Sequence, residues 1–218
     1  MMNEGPVTPI LILGTHYFAP EVDDLIEDTR GLEVVGFVEN LDRTRCDRPI
    51  CGKPVHWVDD LAHVDPRTHL LCAIGSTKRA KFIDDVARFR LPFARLIHPS
   101  ARISRRSTVG EGSIASAGVI VAAGATIGRH VIMNRGVLIG HDTAIEDYVT
   151  ISPGANIAGR CILGSQSYVA QGAVITDGLK IGRNSVVGAG AVVTRDVPDR
   201  VMVMGLPARI VKEGIDGR

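Results

Sequence analysis

The 218 residues are 45% hydrophobic and 22% charged, enough apolar material for one large unit or two small ones with ordinary cores. A formal net charge of +1 leaves no electrostatic footprint for nucleic acid or for an anionic membrane surface. No apolar run of about 18 residues and no cationic, apolar leader is present, so the expectation is a cytoplasmic protein with no membrane partner.

Pro9-Ile10-Leu11-Ile12-Leu13-Gly14 is a short apolar run ending in glycine and predicts a buried strand. Residues 20–30 carry Val22, Leu25 and Ile26 among acids, as an amphipathic helix would. Leu32 to Val38 predicts a second strand closing at Glu39-Asn40, and Leu70 to Ile74 a third closing at Gly75-Ser76-Thr77. Lys78 to Arg90, with Phe82, Ile83, Val86 and Phe89, reads as a helix behind a Ser/Thr cap. Strand–helix–strand alternation implies a small parallel sheet with helices packed on it.

Ligands of such sheets bind at the carboxyl ends of the strands. His16, Glu39, Asn40 and Gly75 are therefore candidate contacts for a nucleotide or sugar, with ordinary strand-end turns as the alternative. Glu39 ends its strand where these folds place an acid on a ribose hydroxyl. Gly14 is followed by Thr15, His16, Tyr17, Phe18 and Ala19, so the GxGxxG fingerprint fails and NAD is disfavoured; no GxxxxGK[ST] occurs either.

From Ile97 to Val193 an aliphatic side chain recurs every sixth residue, through Met133, Ile139, Ile145, Ile151 and Ile157. From Ala101 onward the residue two places earlier is small or β-branched, with only Leu179 departing. A period of six fits neither an α-helix nor an isolated strand and marks the hexapeptide of a parallel β-helix. Three hexads close one triangular coil, so position n lies under n + 18. After Val193 the pattern stops, and the tail through Gly205-Leu206-Pro207-Ala208-Arg209 is expected to cap the open coil with a last short helix.

His141 falls at a corner of this coil, with Gly159 one coil above, at about the ~4.8 Å spacing of neighbouring strands. An imidazole base beside an uncovered amide N–H suits acyl transfer to an amine or alcohol. Asp142 is placed to orient the ring, and Asn134 to hold the nucleophile or the ring. An exposed corner histidine beside an acid is the alternative. His130 matches no partner and is expected to be solvated. His56, His63, His69 and His98 show no ligand spacing, and only His130 and His141 lie in the solenoid body. A zinc site of the γ-carbonic-anhydrase type needs three histidines, so no metal is expected. Cys46, Cys51, Cys72 and Cys161 form no CxxC pair and are expected to be reduced and structural, Cys161 filling a small-residue slot.

The segments Asn134-Arg-Gly-Val-Leu-Ile-Gly-His141-Asp142, Ile151-Ser-Pro-Gly-Ala-Asn-Ile-Ala-Gly159 and Gly205-Leu-Pro-Ala-Arg209 resemble the hexapeptide-repeat sugar acyltransferases. The subgroup is the one that acetylates sialic acids and nucleotide-linked amino sugars, and the resemblance spans essentially the whole chain. It implies an α/β, Rossmann-like sugar-nucleotide-binding domain over residues 1–95. A left-handed parallel β-helix that binds acetyl-CoA, with its tail, would follow over residues 96–218. It implies a homotrimer with active sites between subunits, in O-antigen or lipopolysaccharide biosynthesis. The implied reaction is direct attack on acetyl-CoA by the 4-amino group of a nucleotide-linked 4-amino-4,6-dideoxy sugar, a GDP-linked one favoured. A UDP- or dTDP-linked amino sugar, O-acetylation of a sugar or sialic acid hydroxyl, and a non-enzymatic trimeric scaffold are the alternatives.

Under this resemblance His141 becomes the general base, Asp142 its carboxylate partner and the Gly159 amide the oxyanion donor. Acetyl-CoA would run past Gly159, Gln171, Ala189, Pro207 and Arg209, and the sugar nucleotide would rest near His16, Glu39, Asn40, Gly75 and Asn134. The chain departs from members that act on UDP-linked bacillosamine at two places. Thr150 stands where they have a second histidine. Thr15-His16-Tyr17-Phe18 and Glu39-Asn40 replace a glycine-rich first loop and an Asp-Asp pair.

Overall fold

The computed structural model describes residues 7–218, so the first six residues of the expected N-terminal domain lie outside the described residues. Thr8–Leu13 (β1), Leu32–Glu39 (β2), Val55–Trp57 (β3) and His69–Cys72 (β4) form one parallel sheet in the order β3–β2–β1–β4. Strand β1 is central, and Ile10, Ile12 and Leu13 on it are wholly buried because apolar layers cover both faces of the sheet. Phe18–Glu27 (α1) turns Ala19, Val22, Leu25 and Ile26 inward. Arg79–Val86 (α2) buries Arg79, Phe82, Ile83 and Val86 at the spacing of a single helical face. The predicted helix to Arg90 therefore ends earlier, and a 3₁₀ turn over Ala87–Phe89 closes on Arg90 in the left-handed region, φ 56°. Strand β3 was not expected, since three residues are too few to display a period.

Residues 96–193 wind into short parallel strands whose partners lie eighteen positions apart, as in Leu138↔Asn156 and Ile139↔Ile157. The coils make a left-handed β-helix with three faces. The first face carries Ile114–Ala115, Ile132–Met133, Thr150–Ile151 and Tyr168–Val169; the second Ile120–Val121, Leu138–Ile139 and Asn156–Ile157; the third Ala144–Ile145 and Ile162–Leu163. The inward ladder is buried from Val121 to Val193, whereas Ile97, at the foot of the stack with no coil below it, is 36% exposed.

Hydroxyls in the small-residue slot stitch one coil to the next. Ser113 Oγ donates to the Gly128 carbonyl and accepts from the Val131 N–H, both at 2.9 Å. Thr143 Oγ1 repeats the pattern between Ala158 and Cys161. Every sixth residue from Gly112 to Gly190 has positive φ at a corner. Most are glycines, but His130, Asp142, Tyr148, Arg160, Gln166 and Asn184 are held there as non-glycines, at a cost of about 1 kcal/mol each.

The expected capping helix is absent. Val201–Gly205 continues the first face beside Val186–Val187, and Ala208–Glu213 returns antiparallel to it. A hairpin meets the same need, because it satisfies the exposed strand edge directly.

The parallel sheet packs on the outward side of the first face. Leu96, Ile114 and Ile132 point out of the coil yet are at most 2% exposed, being in one cluster with Ile10, Ala19 and Val22. Arg79 fastens this junction. It is buried with no carboxylate partner among the described residues, and its guanidinium donates to the carbonyls of Ser76, His130 and Val149 and to Thr150 Oγ1. Thr150 Oγ1 in turn donates to the Gly75 carbonyl at 3.1 Å.

His130 corrects the expectation of a solvated side chain. It is 1% exposed, edge-on to Phe93 at 4.6 Å and stacked on Tyr148 at 5.3 Å between ring centroids. The junction covers this corner, and Gly112 makes room for the ring, since a Cβ there would lie 2.0 Å from its Nδ1. Neither ring nitrogen has a hydrogen-bond partner. Burial first, then the cations Arg129 and Arg79, push its pKa from 6.5 to about 4.

Two outcomes follow from this junction. Arg79→Ala removes the guanidinium's hydrogen bonds, leaves the buried His130 carbonyl without a donor among the described residues and opens a cavity at the junction, and should lower the unfolding free energy by about 3 kcal/mol or more in urea titration; a loss under ~1 kcal/mol would discard the clamp. The folded state keeps His130 neutral, so its contribution is complete above the unfolded pKa of 6.5 and is lost as pH falls from there toward about 4. Wild type should lose about 2 kcal/mol more than His130→Phe between pH 7 and pH 5, and identical slopes in the two proteins would contradict this.

Candidate functional site

His141 leaves the second face after Leu138–Ile139 and Gly140. A Cβ on Gly140 would lie 2.4 Å from the Ala158 carbonyl carbon, so only glycine lets the coils approach closely enough at this corner. Asp142, at φ 56°, presents Oδ2 to His141 Nδ1 at 2.9 Å. A carboxylate only accepts, so Nδ1 carries the proton and Nε2 keeps its lone pair.

That nitrogen faces Gly159: a Cβ on this glycine would lie 2.7 Å from Nε2. The carbonyls here are occupied, His141 O accepting from Arg160 N–H at 2.8 Å and Gly159 O from Gly178 N–H at 2.9 Å. The Gly159 N–H meets no acceptor among the described residues. The eighteen-residue register therefore does place a base, its orienting acid and an uncovered amide donor together, with the ring about half exposed (54%). Cys161, nearby, is wholly buried in its small-residue slot. Asn134 does not hold the ring. It sits one corner back, after Ile132–Met133, with Oδ1 accepting from the Arg135 N–H at 2.8 Å.

A cavity of about 700 Å³ lies between the carboxyl ends of the parallel strands and the first face. His16, Gly75, Asn134, Arg135, Tyr168, Gln171 and Arg218 line it. Ser152 Oγ donates to Tyr168 Oη at 2.8 Å on its wall. His16, Gly75 and Asn134, expected near the sugar nucleotide, thus line one cavity with Gln171, expected on the acetyl-CoA path, and Thr150 on the same wall is engaged by the Arg79 clamp.

Glu39 is not available in the way expected. It is 4% exposed. Its Oε1 accepts from the N–H groups of Asn40, Leu41 and Asp42, and its Oε2 from the Thr15 hydroxyl. Burial alone would raise its pKa, but the Thr15 hydroxyl and these backbone donors outweigh burial and hold the carboxyl below its usual value. Glu39 shapes the 40–42 turn instead of offering oxygens to a ribose. The turn borders a second hollow of about 640 Å³ that includes Thr15, Thr44, Arg45 and Arg48, where Arg45 Nη1 reaches the Thr15 carbonyl at 3.1 Å.

Gln171 and Ala189 share one corner column, at the end of the first face, and the Leu206–Pro207 turn stands above them. Gly159 belongs to the next column, beyond the second face, so the proposed cofactor residues fall on two corners of one chain. Arg209 is exposed on the hairpin. Sequence reasoning missed Arg79, Tyr168 and Arg218. Arg79 carries a signal, being the charged first member of an i, i+3, i+4, i+7 apolar stripe; Tyr168 and Arg218 carry none. No group of three or more metal-ligating side chains converges among the described residues, and none of their helices is long and apolar enough to cross a membrane.

Three solved structures show the same architecture. The chain aligns over 94% of its length with a histidine-to-asparagine mutant of perosamine N-acetyltransferase from Caulobacter crescentus in complex with CoA and GDP-perosamine. The TM-score is 0.88 at 29% identity, with 97% of that chain covered. PerB from Caulobacter crescentus, in complex with CoA and GDP-perosamine, gives 0.86 at 30% identity over 94% of this chain and 97% of that one. The acetyltransferase domain of PglB from Neisseria gonorrhoeae, in complex with acetyl coenzyme A, gives 0.85 at 28% identity, over 94% of this chain and 100% of that one. No family model and no curated protein sequence matches.

Proposed function

The chain belongs to the hexapeptide-repeat sugar acetyltransferases, and we propose that it moves the acetyl group of acetyl-CoA to the 4-amino group of a nucleotide-linked 4-amino-4,6-dideoxy sugar. GDP-perosamine is the favoured acceptor, by similarity to the solved relatives that hold it. One observation carries the mechanism: Nε2 of His141 is left free by the Asp142 contact and lies against Gly159, whose N–H meets no acceptor among the described residues. Nε2 takes a proton from the amine as its nitrogen attacks the thioester carbonyl. The Gly159 N–H donates to the oxygen on which charge develops. The carbon–sulfur bond then breaks, and the imidazolium returns the proton to the departing thiolate. Cys161 is sealed in the core, and attack is direct.

The two half-sites on separate corners call for a second copy of the chain. Outward residues of the second and third faces are apolar yet uncovered, with Ile120 42%, Leu138 38% and Ile162 39% exposed; such a patch marks a protein contact. A threefold assembly would bring the His141 corner of one copy to the His16–Asn134 cavity and the Gln171–Ala189 column of the next. In this reading residues 1–95 hold the sugar nucleotide and residues 96–218 the acetyl-CoA. His16, Asn40 and Gly75 are the contacts at the strand ends, and Pro207 and Arg209 close the cofactor path. The protein would work in the cytoplasm, supplying sugars for O-antigen or lipopolysaccharide.

With GDP-perosamine and acetyl-CoA, His141→Ala should lower kcat by on the order of 10²–10⁴, followed by thiol release; a loss below about tenfold would remove the assignment. Gly159→Ala should push the exposed ring aside and lower kcat by about tenfold or more with Tm nearly unchanged. Sedimentation should show three copies per particle. Leu138→Asp should yield smaller, inactive particles, whereas an active monomer would reject a shared site.

A further inference from the structure

We propose that Arg218 reads the diphosphate of the nucleotide sugar, carried into the substrate cavity by a strap over residues 214–218. The proposal rests on the functional reading above and adds a substrate-binding residue to it. The strap lies back down the β-helix. Ile215 N–H donates to Arg200 O at 3.0 Å, and Gly217 N–H to Asn184 O at 2.9 Å. It then docks on the turn after β4. Arg218 N–H donates to Thr77 Oγ1 at 3.0 Å, and Thr77 N–H donates to Arg218 O at 2.9 Å. Gly217 is at φ 63°, and a Cβ there would lie 2.4 Å from Thr77 Oγ1, so glycine is required for this approach.

Docking sets the guanidinium 4.6 Å over the Tyr168 ring, with Nη1 donating to Tyr168 Oη. The ring is itself held by Ser152 Oγ. Cation–π contact and one hydrogen bond fix the fork, leaving four of its five N–H groups open to a ligand. No aspartate or glutamate side chain lines this cavity. The other arginine there, Arg135, is paired with Glu21 at 3.0 Å, whereas Arg218 has no ion-pair partner among the described residues. A permanently charged planar fork, aimed into a cavity lined by no aspartate or glutamate, suits paired phosphate oxygens better than a neutral sugar hydroxyl.

Acetyl-CoA also carries a diphosphate, so the test separates the two ligands. GDP and acetyl-CoA are titrated calorimetrically, each alone, into wild type, Arg218→Ala, Arg218→Lys and Gly217→Ala. Arg218→Ala should weaken GDP roughly 10- to 100-fold and leave acetyl-CoA within about twofold. Arg218→Lys should fall between, since an ammonium keeps the charge and loses the fork. Gly217→Ala, which lifts the strap, should reproduce the loss for GDP. GDP affinity unchanged in Arg218→Ala, or a loss confined to acetyl-CoA, would overturn the proposal while leaving the functional reading intact. Wild type that binds neither GDP nor acetyl-CoA would overturn the functional reading, and this inference with it.

Discussion

Each coil of the β-helix leaves its strand edges open, and only the next coil can satisfy them. Position n is therefore obliged to lie beneath n + 18, and everything else in the molecule is arranged around that obligation. Hydroxyls such as Ser113 and Thr143 appear where one coil must be tied to the next. Glycines such as Gly140 appear where backbones must nearly touch. The pairing of His141 with Gly159 is a product of the same geometry: a base and an amide donor on adjacent coils cannot drift apart without breaking the stack.

The second constraint is a single buried charge. Burial pushes the Arg79 pKa down to about 10, so the guanidinium stays protonated at neutral pH and must be solvated by the protein itself. Carbonyls from the turn before α2 and from two coils do this together. The sheet unit and the β-helix are thereby joined by hydrogen bonds whose loss would leave the buried His130 carbonyl with no donor among the described residues. Thr150 extends the clamp to Gly75 and so fixes one wall of the substrate cavity. The residue that departs from the bacillosamine-acting members thus has a structural occupation here.

The proposed base, acid and oxyanion donor need short distances, and they sit on consecutive coils where the repeat supplies them. The cavity proposed for the acceptor is built from irregular pieces: a strand-end turn, a corner of the first face and the strap through Gly217. Legibility followed this division. The period made the β-helix and the His141–Gly159 stacking readable, because stacking is periodic and local rules repeat. Glu39 was misassigned because an acid at a strand end looks the same whether it faces a ligand or caps its own turn. His130 was misread because its cover, Phe93, comes from outside the repeat.

The order of residues alone established the coil, its eighteen-residue register and the chemistry available at one corner. It also marked three of the four strands and both α-helices of the sheet unit, since hydrophobic periodicity is a property of neighbours along the chain. Tertiary structure decided what depends on residues far apart in sequence. It buried Arg79 and His130, closed the tail as a hairpin, brought Arg218 to Thr77 and Tyr168, and set the His141 corner one face away from the cavity. Those outcomes rest on contacts between segments with no common period, and only packing can choose among such contacts.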